Sequence, residues 1–162
     1  MLCFGLNDRN RALSETWEKK TNPAGSRYPN PLSQISLFVL LDSIGAVNPE
    51  IPSYYLLTHW VYKKMASLEN RLRNNRLLDT APLSPFLPNT YYQGRQDEVD
   101  DHTPFMERGV PYLHLLPSTL PSNRQTMEGD GAHLDLPTVR DWAKIVTGLA
   151  LEWLDMMEVW PE

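Results

Sequence analysis

The run Gln34-Ile35-Ser36-Leu37-Phe38-Val39-Leu40-Leu41, with Asp42 directly behind it, constrains the fold of this chain more than any other stretch. It is nearly unbroken in apolar character, rich in strand formers and too short for a typical isolated helix, so it reads as a strand buried on both faces. Such strands belong to parallel sheets covered by helices, where ligands gather beyond the carboxyl ends of the strands. Asp42 stands at that end. A carboxylate at the tip of a buried strand is costly unless it is solvated, paired or hydrogen-bonded. It either caps the following turn, Ser43-Ile44-Gly45-Ala46, or belongs to a site, and the residues alone leave both readings open.

A second acidic stretch stands ahead of a second apolar one. Asp100-Asp101-His102-Thr103-Pro104-Phe105 precedes Gly109-Val110-Pro111 and the strand-like Tyr112-Leu113-His114-Leu115-Leu116. In a functional reading the carboxylates and imidazole hold a proton network or a metal. In a purely structural reading Thr103 caps a short helix with Pro104 at its first position, and Asp100 and Asp101 are solvated loop residues. His114, inside the strand, is expected to be a satisfied core histidine ahead of a ligand.

The rest of the chain supplies helices and loops. Ala12, Leu13, Thr16 and Trp17 put a modest apolar stripe on a helix over 9–20. Val61, Met65, Leu68 and Leu72 recur at helical spacing after Thr58, and residues 79–98, with Pro82, Pro85, Pro88 and Gly94, form a long irregular loop. Asp135 caps a last helix running to about Met156, with Pro137 in its first turn and Val139, Trp142, Val146, Leu149, Trp153 and Met157 as its stripe. The order is helix, strand, helix, long loop, strand, loop, helix, which predicts an α/β fold with right-handed crossovers. Two fully buried strands make a poor sheet, so neighbouring strands are expected to be missing. An open apolar edge then predicts self-association or a partner that supplies strands.

Composition narrows the classes. At 162 residues, 41% hydrophobic and 22% charged, the chain fits one soluble globular domain, or part of one. The net charge of -5 is uneven: residues 1–80 hold 10 Lys and Arg against 7 Asp and Glu, and residues 81–162 hold 5 against 13. No basic patch interleaved with aromatics appears, which argues against nucleic acid as a partner. The single cysteine, Cys3, excludes an internal disulfide and a paired-cysteine metal site. Met1–Leu6 has no basic flank and too short an apolar run for a signal peptide or membrane span, so the chain as written is expected to stay in the cytosol.

These residues together resemble a known family. Leu40-Leu41-Asp42-Ser43-Ile44-Gly45-Ala46-Val47-Asn48-Pro49, Asp100-Asp101-His102-Thr103-Pro104-Phe105, Arg108-Gly109-Val110-Pro111 with Leu113-His114-Leu115, and Thr126-Met127 are similar to the C-terminal part of glutaminyl-peptide cyclotransferases (glutaminyl cyclases). Thr58-His59-Trp60 and Trp142-Ala143-Lys144 look most like a fungal branch of zinc peptide hydrolases. The resemblance covers roughly residues 33–157, with a weaker match over 12–19. It implies a three-layer zinc-aminopeptidase-like α/β fold, present here as a single partial domain over 1–162 whose N-terminal strands are missing. It also implies a secretory family and one zinc held by an Asp, a Glu and a His. The implied reaction is acyl transfer, in which the α-amine of an N-terminal glutamine attacks its own side-chain carbonyl, releasing ammonia and leaving pyroglutamate. The two aspartates that share protons with the family's shuttling Glu match Asp42 and Asp100.

Departures from the family pattern fall in the loop after the second strand. Pro117-Ser118-Thr119-Leu120-Pro121 and Arg124-Gln125-Thr126-Met127 stand where the family has Pro-Ser-Pro-Phe-Pro and Trp-His-Thr-Met. The implied substrate-lining positions are thus Leu120 and Arg124, and the zinc-ligating His position holds Gln125, whose neutral amide is a weak zinc ligand. The remaining ligands and the shuttling Glu are expected ahead of residue 1. The resemblance therefore implies a glutaminyl cyclase-like chain, zinc-linked by ancestry and expected to be inactive by itself. The alternatives are a non-catalytic interaction module and a zinc aminopeptidase-like peptide hydrolase.

Overall fold

A computed structural model of the protein describes residues 5–82, 84–88, 90–91, 100–120 and 134–155, with side chains from residue 8 onward. Two parallel strands lie at its centre, β1 (Phe38–Leu41) and β2 (Tyr112–Leu115), in the register Phe38 to Tyr112 through Leu41 to Leu115. Four helices are described: α1 (Gly5–Lys19), α2 (His59–Asn74), the single-turn α3 (Thr103–Met106) and α4 (Leu136–Trp153).

The strand alternation sorts the layers. Val39, Leu113 and Leu115 face a core built with Val61, Tyr62, Met65 and Leu68 of α2 and Trp142, Ile145 and Leu149 of α4. Phe38 points the other way, stacks on Phe105 of α3 at 4.8 Å, and joins Leu32, Val110 and Trp17 of α1 in a second cluster. Helices thus cover both faces of the parallel pair, the α/β arrangement that the apolar runs predict.

Both long helices form where the periodicity places them, and their ends have local causes. α2 stops in a left-handed turn at Arg76 (φ 57°), where the Leu77 amide donates to the Leu72 carbonyl and the Arg76 amide to the Arg73 carbonyl. Asp135 caps α4 by accepting the Thr138 amide at 3.0 Å, with Pro137 in the first turn. Gly148 lets the two helices close: a Cβ there would lie 2.8 Å from Leu68 Cδ2. The loop after α2 is tied down by two buried carboxylates. Glu69 accepts the Phe86 and Leu87 amides, and Asp141 accepts the Asp79 and Thr80 amides and the Thr80 hydroxyl.

Five expectations are revised. The first strand is only Phe38–Leu41, because Leu32–Gln34 form a 3-10 turn and Ile35 packs into the cluster around Phe105 instead of extending the ladder. β1 is half-buried, with Leu41 41% exposed. Thr103 is not the cap of α3: His102 occupies that position, and the Thr103 hydroxyl accepts the Asp100 amide. On α1 it is Ser14 that is buried and Leu13 that is exposed, while Trp17 packs edge-on against Phe105 of α3. Arg108 donates to Glu15 and Glu18, and Arg11 pairs with Glu107. α4 ends at Trp153, and Met157 lies outside the described residues.

Candidate functional site

The carboxyl ends of the two strands bring three of the chain's chemically able side chains together. The Asp42 amide donates to the Leu115 carbonyl at 3.0 Å, which fixes the first residue after β1 beside the end of β2. Next comes Ser43 in the left-handed region (φ 57°), and its hydroxyl donates to Asp42 Oδ1 at 2.7 Å. A non-glycine residue held there is strained by about 1–2 kcal/mol. The turn therefore needs outside support, which the backbone bond to β2 supplies.

Asp100 arrives from the turn ahead of α3. Its amide donates to the Thr103 hydroxyl, its Oδ1 accepts the Asp101 amide at 2.7 Å, and its Oδ2 lies 3.8 Å from His114 Nε2. Asp101 in turn accepts the side-chain amide of Asn10, so α1 also holds this turn. His114 comes from β2 and is only 2% exposed. One ligand atom from each of Asp42, Asp100 and His114 lies within 4.8 Å of the other two.

His102 completes the surroundings. It is buried, its ring stacks on Tyr112 at 4.5 Å, and the His114 ring lies 5.1 Å away. Burial first, and then the neighbouring His114, push its pKa down to about 4 against a smaller upward pull from Asp100. His102 is therefore a neutral imidazole at physiological pH.

Two carboxylates and an imidazole are donor types that hold divalent cations, and this group is one that can hold a metal ion. Zinc bonds of about 2.0–2.2 Å set neighbouring donors roughly 3.4 Å apart. The described residues fit zinc by donor type, with one ligand atom from each within 4.8 Å of the others, and the Ser43 hydroxyl and Asp101 amide each donate to one oxygen of the two carboxylates. The cluster sets two carboxylates and a buried imidazole within reach of one another at the strand ends.

Of the sequence-derived site residues, Asp42 and Asp100 meet. Leu120 packs partly buried against Tyr54, Tyr55 and Leu116 and is not one of the three clustered groups. Arg124 and Gln125 lie outside the described residues. His114, read from sequence as a core residue, faces the carboxylates as well as being buried. Its only signal was its position on the same strand face as Tyr112. A cavity of about 640 Å³ lies at the opposite end of the sheet, bounded by Ser36, Pro111, Trp60 and Trp153, away from the carboxylates.

The chain is similar to known proteins. The profile of Peptidase family M28 matches residues 17–150. A glutaminyl-peptide cyclotransferase of Boiga irregularis is 37% identical over 149 residues, covering 90% of this chain and 39% of that protein. One from Bos taurus is 34% identical over 146 residues, covering 90% and 40%. The crystal structure of Macrostomum lignano glutaminyl cyclase superposes with a TM-score of 0.80 at 23% identity, over 90% of this chain and 47% of that one. A leucine aminopeptidase precursor from Bacteroides thetaiotaomicron gives a TM-score of 0.51 at 18% identity, over 82% and 41%. The chain thus spans about two fifths of the length of the relatives it matches.

Proposed function

The chain belongs to peptidase family M28, and from that premise we propose that it carries the proton-holding part of a glutaminyl cyclase-type centre. Its substrate class is a peptide with an N-terminal glutamine. One observation carries the reading: Asp42, Asp100 and His114 converge beyond the carboxyl ends of parallel strands, with each carboxylate oriented by the residue that follows it.

In this reading the α-amine of the peptide attacks its own side-chain amide carbon, the carbon–nitrogen bond of that amide breaks, and ammonia leaves. The amine loses a proton in the step and the departing nitrogen gains one. Asp42 and Asp100 hold the amine by accepting its N–H groups and share the proton in transit. His114, behind Asp100, keeps Oδ2 aimed at the site. The neutral His102 packs against His114 without adding a positive charge.

Zinc, implied by the resemblance, supplies when bound a Lewis acid for the amide carbonyl. The position of the family's His ligand holds Gln125, whose amide is a weak zinc ligand.

Binding of the free amine tests the proposal without requiring turnover. A glutaminyl peptide titrated into the protein by calorimetry should bind measurably, and its Nα-acetylated counterpart should bind at least about tenfold more weakly, the equivalent of one lost charge-assisted hydrogen bond. Asp100→Asn should remove that discrimination. Equal binding of the free and acetylated peptides would sink the proposal.

A further inference from the structure

α1 reaches the turn that carries Asp100 through a single side chain, Asn10. Helical spacing sets Asn10, Ser14 and Trp17 along one stripe of α1 and Arg11, Glu15 and Glu18 along the next. Both stripes meet the segment 101–108. Trp17 lies edge-on to Phe105 at 6.2 Å, Arg11 pairs with Glu107, and Glu15 and Glu18 accept from Arg108. At the near end of the first stripe Asn10 Nδ2 donates to Asp101 Oδ1 at 2.8 Å, in a partly buried bond to a carboxylate.

The bonds of the turn pass that hold on to Asp100. The Asp100 amide donates to the Thr103 hydroxyl, and the Asp100 carbonyl accepts the Thr103 amide at 2.9 Å. Asp100 Oδ1 accepts the Asp101 amide at 2.7 Å, which leaves Oδ2 on the side of His114, 3.8 Å away. Because the peptide is planar, the direction of Oδ2 follows the plane of the 100–101 unit. Asp101 is the residue on the far side of that plane, and Asn10 is what ties its side chain to the rest of the fold. An untied Asp101 carboxylate would also repel its neighbour and compete with it for a cation.

We propose that Asn10 is a positioning residue for the amine site: by holding Asp101 against α1 it fixes the peptide whose amide orients Asp100. The proposal deepens the reading of the cluster as the group that holds the peptide's α-amine, and rests on it. Asn10 is uncharged and bonds Asp101, not one of the three clustered groups, so it acts through geometry.

Calorimetric titration of the 162-residue protein with a glutaminyl peptide and its Nα-acetylated counterpart tests this, the quantity read being the ratio of the two affinities. Asn10→Ala should lower that ratio by about threefold or more while leaving binding of the acetylated peptide unchanged. The reversed pair, Asn10→Asp with Asp101→Asn, keeps the net charge and the amide-to-carboxylate bond, and should restore the ratio. Loss of a merely structural contact would lower the urea midpoint without moving the ratio. Should Asn10→Ala not fold, Asp101→Ala removes the same bond from its other end and should lower the ratio equally. A parent protein that discriminates, with a ratio unchanged in Asn10→Ala or not restored in the reversed pair, overturns the role of Asn10 alone. A parent protein that binds both peptides equally overturns the reading of the site, and this role with it.

Discussion

His102 shows how far one residue's surroundings decide its chemistry. Its folded pKa of about 4 lies below the ordinary 6.5, so the unfolded chain binds its proton more readily than the folded one. The neutral histidine's contribution is complete above pH 6.5 and is lost as pH falls from 6.5 toward 4, by up to about 3 kcal/mol at 1.36 kcal/mol per pH unit. Urea unfolding across that range should show the loss, and His102→Gln should flatten it. Gln125 poses the complementary question. An amide at the family's imidazole position predicts no stoichiometric zinc after dialysis. Gln125→His should raise zinc retention, and metal analysis of both forms checks this. Tight zinc in the parent protein that is lost on Gln125→Ala would contradict it.

Among the elements, the ends of α2 and α4 are where the chain is easiest to improve or break. Arg76 occupies a left-handed position that glycine takes without strain. Arg76→Gly should stabilise the protein by about 1 kcal/mol, read as a higher urea midpoint at unchanged slope. Asp141 works in the opposite sense. Burial alone would raise its pKa, but the Thr80 hydroxyl, the Asp79 and Thr80 amides and Lys144 together hold it below 3.8. Its stabilisation is present above pH 3.8 and disappears as pH falls through the lowered value. Asp141→Asn should cost about 2 kcal/mol at neutral pH and remove that acid sensitivity. α2 and α4 were legible in the sequence because their apolar residues recur at helical spacing, and the Asp135 cap because its side chain acts within three residues. The length of β1 was not, since Ile35 is as apolar as Val39 and only tertiary packing sends it to the Phe105 cluster. The pairing of Asp42 with Asp100 was legible only through resemblance. Residues far apart in sequence meet there through strand register, and the same register hid the role of His114.

Taken whole, the molecule is a parallel pair of strands held between helices, and among the described residues no helix is long and apolar enough to cross a membrane. Its only described sheet joins residues 74 positions apart, Phe38 with Tyr112. That register governs how fast the protein can fold. Closing so long a loop costs chain entropy before any strand hydrogen bond forms. Docking of α2 on α4 closes a loop just as long, since Leu68 and Gly148 lie 80 positions apart, and gives no shortcut to the strand pairing. Helix docking and strand pairing therefore belong to one cooperative step, and in stopped-flow folding Met65→Ala and Leu113→Ala should both slow the folding limb. The carboxylate cluster would then assemble in the same step as the core.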